Sequence, residues 1–444
     1  PTLWVLIVFM LLTNTFYTVF DQQMFPNYYA SLFPTTEIGN ATYGTLNSFQ
    51  VFLESAMMGV VPIIMKKIGV RNSLLLGAVM GIVLLHTIEH YNFYSFPDTS
   101  QQCTLLNFTD KAIWDGLFFT FGGKAYAIFA LLFGFSFFIQ DDNQRLQGRD
   151  FRLRFCWRLV LLFVLGNINA VFFTAEVLVL FSLVGFVLVA TCRMSDRAVF
   201  IIATVCLLQP LHWIYLILAA ADPAFTLPNI PTAELWSATT AAQNQTSFLE
   251  MVRVNLVQGQ LASLAWAWDN ARFFQTAALF MYGMLIGRRG LFTEQKADFW
   301  LKVLAWSLVA FFPLYGLSDM LPDYIRSQAA LSSLQLIVSS LHKCAFMFIL
   351  VSGIILIYYR SNLRSFMSKI SPFGRMSLTN YITQSIIGSA IFYHWGLGLQ
   401  ATTTQSLAIG VVIFIVQLTF CRYWMRSHKH GPLEYLWKRA TWLK

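Results

Sequence analysis

Blocks of about twenty apolar residues, separated by shorter polar segments, recur along the whole chain. An α-helix needs about 20 such residues to cross the roughly 30 Å of hydrocarbon in a bilayer. Because spanning helices satisfy their backbone hydrogen bonds internally, the pattern predicts an all-α fold, a polytopic transmembrane helix bundle. We count twelve candidate spans, at residues 2–20, 46–65, 73–90, 113–139, 155–173, 176–192, 198–220, 271–287, 298–317, 333–358, 376–397 and 404–424.

Composition agrees with a chain whose core is built against lipid. Of its 444 residues, 57% are hydrophobic and only 11% are charged, whereas a soluble domain has about 25% charged residues. The net charge is +9, which in a membrane protein usually reflects basic cytoplasmic loops. No aromatic residues stand out between basic residues, as nucleic-acid binding would need, so we expect no nucleic acid as partner. The six cysteines include no Cys-x-x-Cys pair, which argues against a disulfide framework or a zinc ribbon.

The distribution of lysine and arginine predicts the orientation of the spans. Loops after even-numbered spans are rich in both residues, and loops after odd-numbered spans hold few. Because cytoplasmic loops carry the excess of positive charge, both termini should be cytoplasmic. The segment 247–268 then lies outside, and its apolar residues recur near helical spacing, which predicts an amphipathic helix at the membrane surface. The basic segments are residues 66–71, 145–154, 193–197, 288–296, 360–375 and 422–444.

The start of the chain resembles a family of transporters. The stretches "VFDQQMFPNYYASLF", "YGTLNSFQVFLESAMM" and "KKIGVRNSLLLGAVM" are similar to the seventh and eighth helices, and the start of the ninth, of oligosaccharide–proton symporters of the sucrose and lactose permease type. These symporters belong to the major facilitator superfamily. Residues 1–80 are therefore interpreted as a permease-like fragment with two spans and the start of a third.

From about residue 81 the chain resembles a different family, the YeiB-like membrane proteins of bacteria. The matching stretches are "HTIEHYNFYSFPD", "FGGKAYAIFALLFGFSFFIQ", "AEVLVLFSLVG", "GRMSLTNYITQSIIGS" and "GPLEYLWKRAT". The sequence is thus a hybrid, with the join between Gly77 and Ile82. This interpretation divides the rest into a YeiB-like domain of about ten spans, 81–430, and a basic, aromatic cytoplasmic tail, 431–444.

The second resemblance implies a location and a chemistry. A YeiB-like protein is expected in the bacterial inner (plasma) membrane, as a multi-pass protein. The family looks related to transmembrane acyltransferases such as heparan-alpha-glucosaminide N-acetyltransferase, which move an acyl group from a cytoplasmic thioester to an acceptor across the membrane. Relatives open this region with an Asp-x-x-Arg-Gly type of motif, and here the permease-like "RNSLLLGAVMG" stands in its place.

Two histidines and a glutamate end the third predicted span. His86 and His90 are four residues apart, on one helix face, and Glu89 lies one turn on from His86. A zinc site would need a further ligand, and no second His/Glu cluster is evident outside, so we expect no metal. The alternatives that remain are polar punctuation at the membrane surface and acid–base or acyl-transfer chemistry. The related acetyltransferases use a histidine at the outer side of their first helix, which favours His86 or His90.

Ionisable residues inside three predicted spans are candidates for substrate binding. Lys124 lies in the outer third of span four, where it either reaches toward water or holds an anionic group. Glu176, at the outer end of span six, is its candidate partner. His342 and Lys343 lie near the middle of span ten, where a charge costs at least about 2.5 kcal/mol and therefore often marks function.

Two polar residues of span eleven complete the candidate set. Asn380 and Gln384 are one turn apart on one helix face. Such residues commonly bind neighbouring helices, and the alternative is a place in a substrate cavity.

Together these features favour a membrane acyltransferase. His86 or His90, with Glu89, would handle the acyl group or the proton. No permanently bound cofactor is expected, and an acyl thioester of the acetyl-CoA type would be the co-substrate. A transporter of a small sugar or anion and a non-catalytic membrane scaffold are the alternatives. The expected partners are the lipid bilayer and a small-molecule substrate, and assembly into a homo-oligomer stays open.

Overall fold

The computed structural model describes residues 70–89, 104–222, 224–360 and 372–442, and every regular element in these ranges is helical. The predicted spans 2–20 and 46–65 and the residue His90 lie outside the described residues. The all-α class predicted from the hydrophobic pattern is therefore confirmed for the part of the chain that the structure describes.

The helices alternate with short connections along most of the chain. A π-helical turn (Asn255–Gly259) joins α10 to α11, and a 3-10 turn (Glu294–Lys296) precedes α13. The helices in chain order are α1 (Val70–Ile88), α2 (Thr104–Phe121), α3 (Lys124–Arg145), α4 (Arg152–Ala170), α5 (Val177–Val184), α6 (Phe186–Thr191), α7 (Asp196–Leu207), α8 (Pro210–Ala221), α9 (Thr232–Gln243), α10 (Phe248–Val254), α11 (Gln260–Asp269), α12 (Arg272–Arg288), α13 (Ala297–Tyr324), α14 (Gln328–Arg360), α15 (Ser377–Phe392), α16 (Thr403–Ser427) and α17 (Pro432–Thr441).

All ten predicted spans between residues 73 and 424 overlap a helix or a pair of consecutive helices. Within the described ranges, five helical stretches are long and apolar enough to cross a membrane: α2 with α3, then α4, α13, α14 and α16. A sixth is added if α7 and α8, which are bent by 47° at their junction, count as one broken span. The chain is therefore a membrane protein by the length and composition of its helices, and the number twelve stays a prediction.

Helices α3 and α12 form the closest contact in the core. A Cβ atom at Gly134 would lie 1.9 Å from the Phe280 carbonyl oxygen, and one at Gly283 would lie 1.9 Å from the Leu131 carbonyl oxygen. Only glycine allows two backbones to approach this closely. Tyr126 contacts Thr276 near the starts of the two helices, and Phe138 contacts Gly287 farther along both, so α3 and α12 run parallel.

The other helices pack around this pair. Helices α1 and α14 contact α3, and α7 and α5 contact α12. Helix α14 pairs extensively with α13, which itself leaves most of its surface uncovered. Helices α15 and α16 contact α1 from the other side. The two helices with the closest backbone approach therefore also lie at the centre of the bundle.

One end of the bundle collects arginine side chains from several loops. Arg193 lies 3.4 Å from Asp150, and Arg288 lies 3.1 Å from Asp196. These pairs join the connection between α3 and α4, the connection between α6 and α7, and the end of α12. The bundle thus brings to one end, the arginine-rich end, three of the basic segments that the sequence placed on a common side.

The tail helix α17 also lies at the arginine-rich end. The Glu434 carboxylate accepts hydrogen bonds from the backbone N–H groups of Leu378 (2.8 Å) and Thr379 (3.0 Å). These are unpaired donors in the first turn of α15, so a side chain from α17 caps another helix. The Arg158 guanidinium stacks on the Trp437 ring at 4.0 Å. The tail therefore fastens α15 to α4.

The segment 247–268 is helical, as its apolar spacing predicts. It forms α10, the π-helical turn and α11, and its inner face buries Met251 and Ala262 together with the side chain of Asn255. The Asn255 side-chain amide donates to the Val171 carbonyl (2.9 Å). Several of its apolar side chains point outward, with Leu249 at 79% exposed and Leu261 at 54%.

Replacing Gly134 by alanine should destabilise the whole bundle. The added methyl group would collide with the Phe280 carbonyl, and overpacking of this kind costs about 1–3 kcal/mol. Thermal unfolding of the full chain in detergent measures the effect. The control is Gly353→Ala on α14, where a Cβ atom meets nothing within 4 Å. Equal midpoints for the two variants would contradict the close approach of α3 and α12.

Candidate functional site

A cavity of about 370 Å³ lies between the first turns of α3 and α12, at the end of the bundle opposite the arginine-rich end. Its walls come from α1, α2, α3, α5, α9, α11, α12, α14 and α15. Five of the residues singled out in the sequence line it, although they come from four separate parts of the chain: His86, Glu89, Lys124, Glu176 and Lys343.

His86 lies in the last turn of α1 and faces this cavity. Its ring centroid is 4.3 Å from that of Phe173 and 6.3 Å from that of Tyr381. Glu89 follows directly after the helix and is close enough to Arg272 to interact with it electrostatically. Within the described ranges, no group of three or more His, Cys, Asp or Glu side chains is placed to hold a metal ion.

Lys124 begins α3 immediately after a break in the helical path. Gly123 adopts a left-handed conformation (φ 71°), which glycine tolerates and which separates α2 from α3. The Lys124 side chain turns back, and its Nζ donates to the Phe119 carbonyl oxygen at 2.6 Å. A lysine that binds the free carbonyls at the end of a helix stabilises that end. Lys124 is only 6% exposed, so it does not reach out to water.

Glu176 caps the start of α5. Its carboxylate accepts hydrogen bonds from the Leu178 backbone N–H and from the Asn169 side-chain amide, and the Tyr381 hydroxyl interacts with the same carboxyl group. Glu176 is 3% exposed. The predicted pairing with Lys124 is not formed in the described structure, where the hydrogen bonds of Lys124 go to backbone carbonyls.

Arg272, which sequence reasoning passed over, is the first residue of α12 and lines the cavity. Its guanidinium donates to Gln275 Oε1 (2.7 Å) and lies 5.2 Å from the Tyr126 ring and 5.5 Å from the Trp266 ring. It is 9% exposed. The available signal was an arginine at the boundary between a polar segment and an apolar block, a position also typical of a residue that merely contacts the membrane surface.

Two unusual backbone conformations support the start of α12. Ala271 (φ 57°) and Gln209 (φ 59°) are the non-glycine residues with left-handed backbones in the described ranges. The buried Gln209 amide donates to the Ala271 carbonyl and to the Ser340 hydroxyl, both at 3.1 Å. Since such a conformation is costly for alanine, the bond from Gln209 helps to hold Arg272 where it enters the cavity.

Three of the other predicted site residues lie away from the cavity lining. His342 is buried against α13, with its ring centroid 5.7 Å from that of Tyr315. Asn380 donates to the Phe373 carbonyl (2.9 Å) and accepts from the Cys421 thiol (3.2 Å), as a helix-packing residue does. Gln384 is buried on α15. Their role in substrate binding stays a prediction.

Comparison with known proteins places two kinds of sequence in this chain. Residues 286–444 match the family described as a protein of unknown function, DUF418, and residues 1–94 match the LacY proton/sugar symporter family. The chain is therefore a membrane protein with a YeiB-like DUF418 region at its C-terminal end and a permease-like start. Both resemblances seen in the sequence are confirmed.

The individual relatives divide in the same way. Uncharacterized protein YxaH of Bacillus subtilis is 24% identical over 411 residues, 85% of this chain and 95% of that protein. Sucrose permease of Escherichia coli is 46% identical over 77 residues, 17% of this chain and 19% of the permease. Uncharacterized protein YeiB of Escherichia coli is 36% identical over 72 residues, 16% of this chain and 19% of that protein. No solved structure matches the chain.

Replacing Glu176 by alanine should destabilise the protein by about 1–3 kcal/mol, because the buried N–H groups of Leu178 and Asn169 would lose their acceptor. Glu176→Gln should lose less, since an amide oxygen can still accept. Chemical denaturation in detergent compares the two variants with Glu294→Ala, an exposed glutamate without a side-chain hydrogen bond in the described structure. A loss in Glu176→Ala no larger than that of the control would contradict the capping role.

Proposed function

We propose that the chain is a multi-pass protein of the bacterial inner membrane with both termini cytoplasmic. The arginine-rich end would face the cytoplasm, because cytoplasmic loops carry most of the lysine and arginine. The cavity that contains His86, Lys124 and Arg272 would then lie at the extracytoplasmic side. About twelve spans would result if the two predicted spans before residue 70 also cross the membrane.

The reaction that fits this arrangement best is transfer of an acyl group from a cytoplasmic thioester to an extracytoplasmic acceptor. The single observation that carries the proposal is the position of His86, which faces a buried cavity beside Glu89 and the cations of α3, α12 and α14. A neutral imidazole there can take a proton from an acceptor hydroxyl or amine, and the apolar surroundings of the cavity limit the water that would hydrolyse a thioester.

The bonds change in a simple order. An acceptor hydroxyl or amine attacks the carbonyl carbon of a thioester whose acyl end enters the cavity from the cytoplasmic side, while His86 takes the acceptor's proton. The carbon–sulfur bond then breaks, and the proton passes to the departing thiolate, which leaves as a thiol. Lys343, whose ammonium carries three N–H donors, would stabilise the oxyanion that forms at the carbonyl, as charged donors do in a site of low polarity. Attack by His86 itself on the thioester is the variant in which the acyl group rests on the imidazole.

Transport of a small solute is the second candidate. Its support is the permease-like start, although the chain spans only 19% of sucrose permease. Ligand stabilisation of the purified chain separates the two candidates, because a ligand at about a hundred times its Kd adds about 2.7 kcal/mol to stability. Stabilisation by an acyl thioester supports transfer, and stabilisation by sugars alone supports transport. A chain stabilised by neither would favour a non-catalytic scaffold.

Replacing both histidines, His86→Ala with His90→Ala, should lower acyl transfer about 100-fold or more, because general-base catalysis contributes at least that factor. Inverted membrane vesicles receive a radiolabelled acetyl thioester, and label in lumenal and lipid products is counted. The control is His428→Ala, an exposed histidine beside α17 at the arginine-rich end. If the double variant labels the products as strongly as the unmodified chain, the proposed role of these histidines in acyl transfer is wrong.

A further inference from the structure

The cavity contains more cationic side chains than its carboxylates neutralise. Arg272, Lys124 and Lys343 lie near enough to repel one another. Two carboxylates share the cavity with them, and that of Glu176 is engaged by three hydrogen-bonding groups of its own surroundings. Three like charges held together in a place of low polarity are unfavourable unless an anion joins them.

Two of the three cations have hydrogen-bonding capacity that the described residues leave unused. The Lys343 ammonium has no hydrogen-bond or ion-pair partner in the ranges that the structure describes. Of the five N–H donors of Arg272, one is engaged by Gln275 there. Lys124, by contrast, is committed to the end of α2. A guanidinium fork beside an ammonium group matches the oxygen atoms of a carboxylate or phosphate.

A second opening leaves the cavity sideways. A groove of about 620 Å³ shares Glu89, Phe118 and Lys124 with the cavity, and its other walls are Trp114, Asp115 and Phe119 of α2 and Tyr315 of α13. The rings of Phe119 and Tyr315 pack edge to face in its wall, with their centroids 6.2 Å apart. Both side chains are partly uncovered, at 46% and 40% exposed. Four of the seven residues that line the groove are aromatic, so an apolar chain can pack against them.

The groove opens beside α13. In the apolar stretch of this helix, only 6% of the residues are fully buried inside the bundle. Its outward side chains include Trp306 (74% exposed), Val309 (59%) and Phe312 (52%). In a membrane protein such a surface is covered by lipid tails. A molecule dissolved in the bilayer could therefore enter the cavity without passing through water.

We propose that the cavity and the groove together bind a membrane amphiphile with an oxyanionic headgroup. The headgroup lies against Arg272 and Lys343, and its hydrocarbon chain lies along the groove between α2 and α13. Resting on the acyl-transfer function proposed above, this makes the amphiphile the acyl acceptor, with its reactive hydroxyl directed toward His86. The anion belongs to the headgroup of an amphiphile rather than to a soluble ion, because a soluble ion would leave the aromatic walls of the groove without a ligand.

Binding of 1-oleoyl lysophosphatidic acid to the full chain in detergent, measured by its shift of the thermal midpoint, tests this inference without any acyl donor. The amphiphile should raise the midpoint, and Arg272→Gln should weaken its binding about tenfold or more, because a hydrogen bond to a charged group is lost. Arg158→Gln, an arginine stacked on Trp437 at the arginine-rich end, should bind as tightly as the unmodified chain.

Two further ligands separate the sources of the binding energy. Glycerol 3-phosphate carries the anion without the chain, and monooleoylglycerol carries the chain without the anion. Each should bind at least about tenfold more weakly than lysophosphatidic acid. Tyr315→Ala should weaken the binding of lysophosphatidic acid and leave the binding of glycerol 3-phosphate unchanged. Trp306→Ala on the same helix is its control.

If glycerol 3-phosphate and lysophosphatidic acid bind with equal affinity, the ligand is a soluble anion and the proposal of an amphiphile is wrong. Equal affinity for monooleoylglycerol, or equal losses in Arg272→Gln and Arg158→Gln, would overturn the anion site. The binding titration needs no thioester, so the two proposals can fail separately. If the chain transfers acyl groups but does not bind lysophosphatidic acid, the proposed acceptor is wrong and the proposed reaction stands. If the chain binds lysophosphatidic acid but transfers no acyl group, the proposed reaction is wrong and the amphiphile site stands.

Discussion

The contact between α3 and α12 determines where the charged groups of the cavity lie. Glycines at the crossing let the two backbones touch, and the helices run parallel, so their first residues, Lys124 and Arg272, enter the cavity side by side. Neither cation would be placed there by its own helix alone. A wider separation of α3 and α12 would also widen the space that α1, α5 and α14 close around them.

Breaks in the helical path then make it possible to hold polar groups in an apolar bundle. The first turn of a helix leaves backbone N–H groups unpaired, and the last turn leaves carbonyls unpaired. Here Glu176 binds an unpaired N–H group at the start of α5, and Lys124 binds an unpaired carbonyl at the end of α2. The same side chains line the cavity. The same two side chains thus pair backbone groups that would otherwise lack a hydrogen-bond partner and bring charge into the cavity. The hydrogen bonds offset part of the free-energy cost of burying these side chains.

The positions of the helices between residues 73 and 424 were predictable, because each predicted block of about twenty apolar residues overlaps one helix or two consecutive helices. The sequence did not predict which residues of a helix face the cavity. His342 and Lys343 are neighbours on α14, about 100° apart around the axis, and Lys343 lines the cavity while His342 packs on α13. The rotation of a helix follows from its packing partners, and sequence spacing does not contain it. Arg272 was missed for the same reason.

The hybrid start of the chain is compatible with the cavity because of how α1 is built. The symporter match extends to residue 94 and so includes the whole of α1. The first turns of α1 contribute apolar packing, through buried residues such as Leu74 and Ala78, whereas His86 and Glu89 come at its end. Packing of apolar side chains tolerates exchange when volume is conserved. A permease-like segment can therefore replace the packing half of the helix, and the half that carries the polar groups keeps its place against α3 and α15.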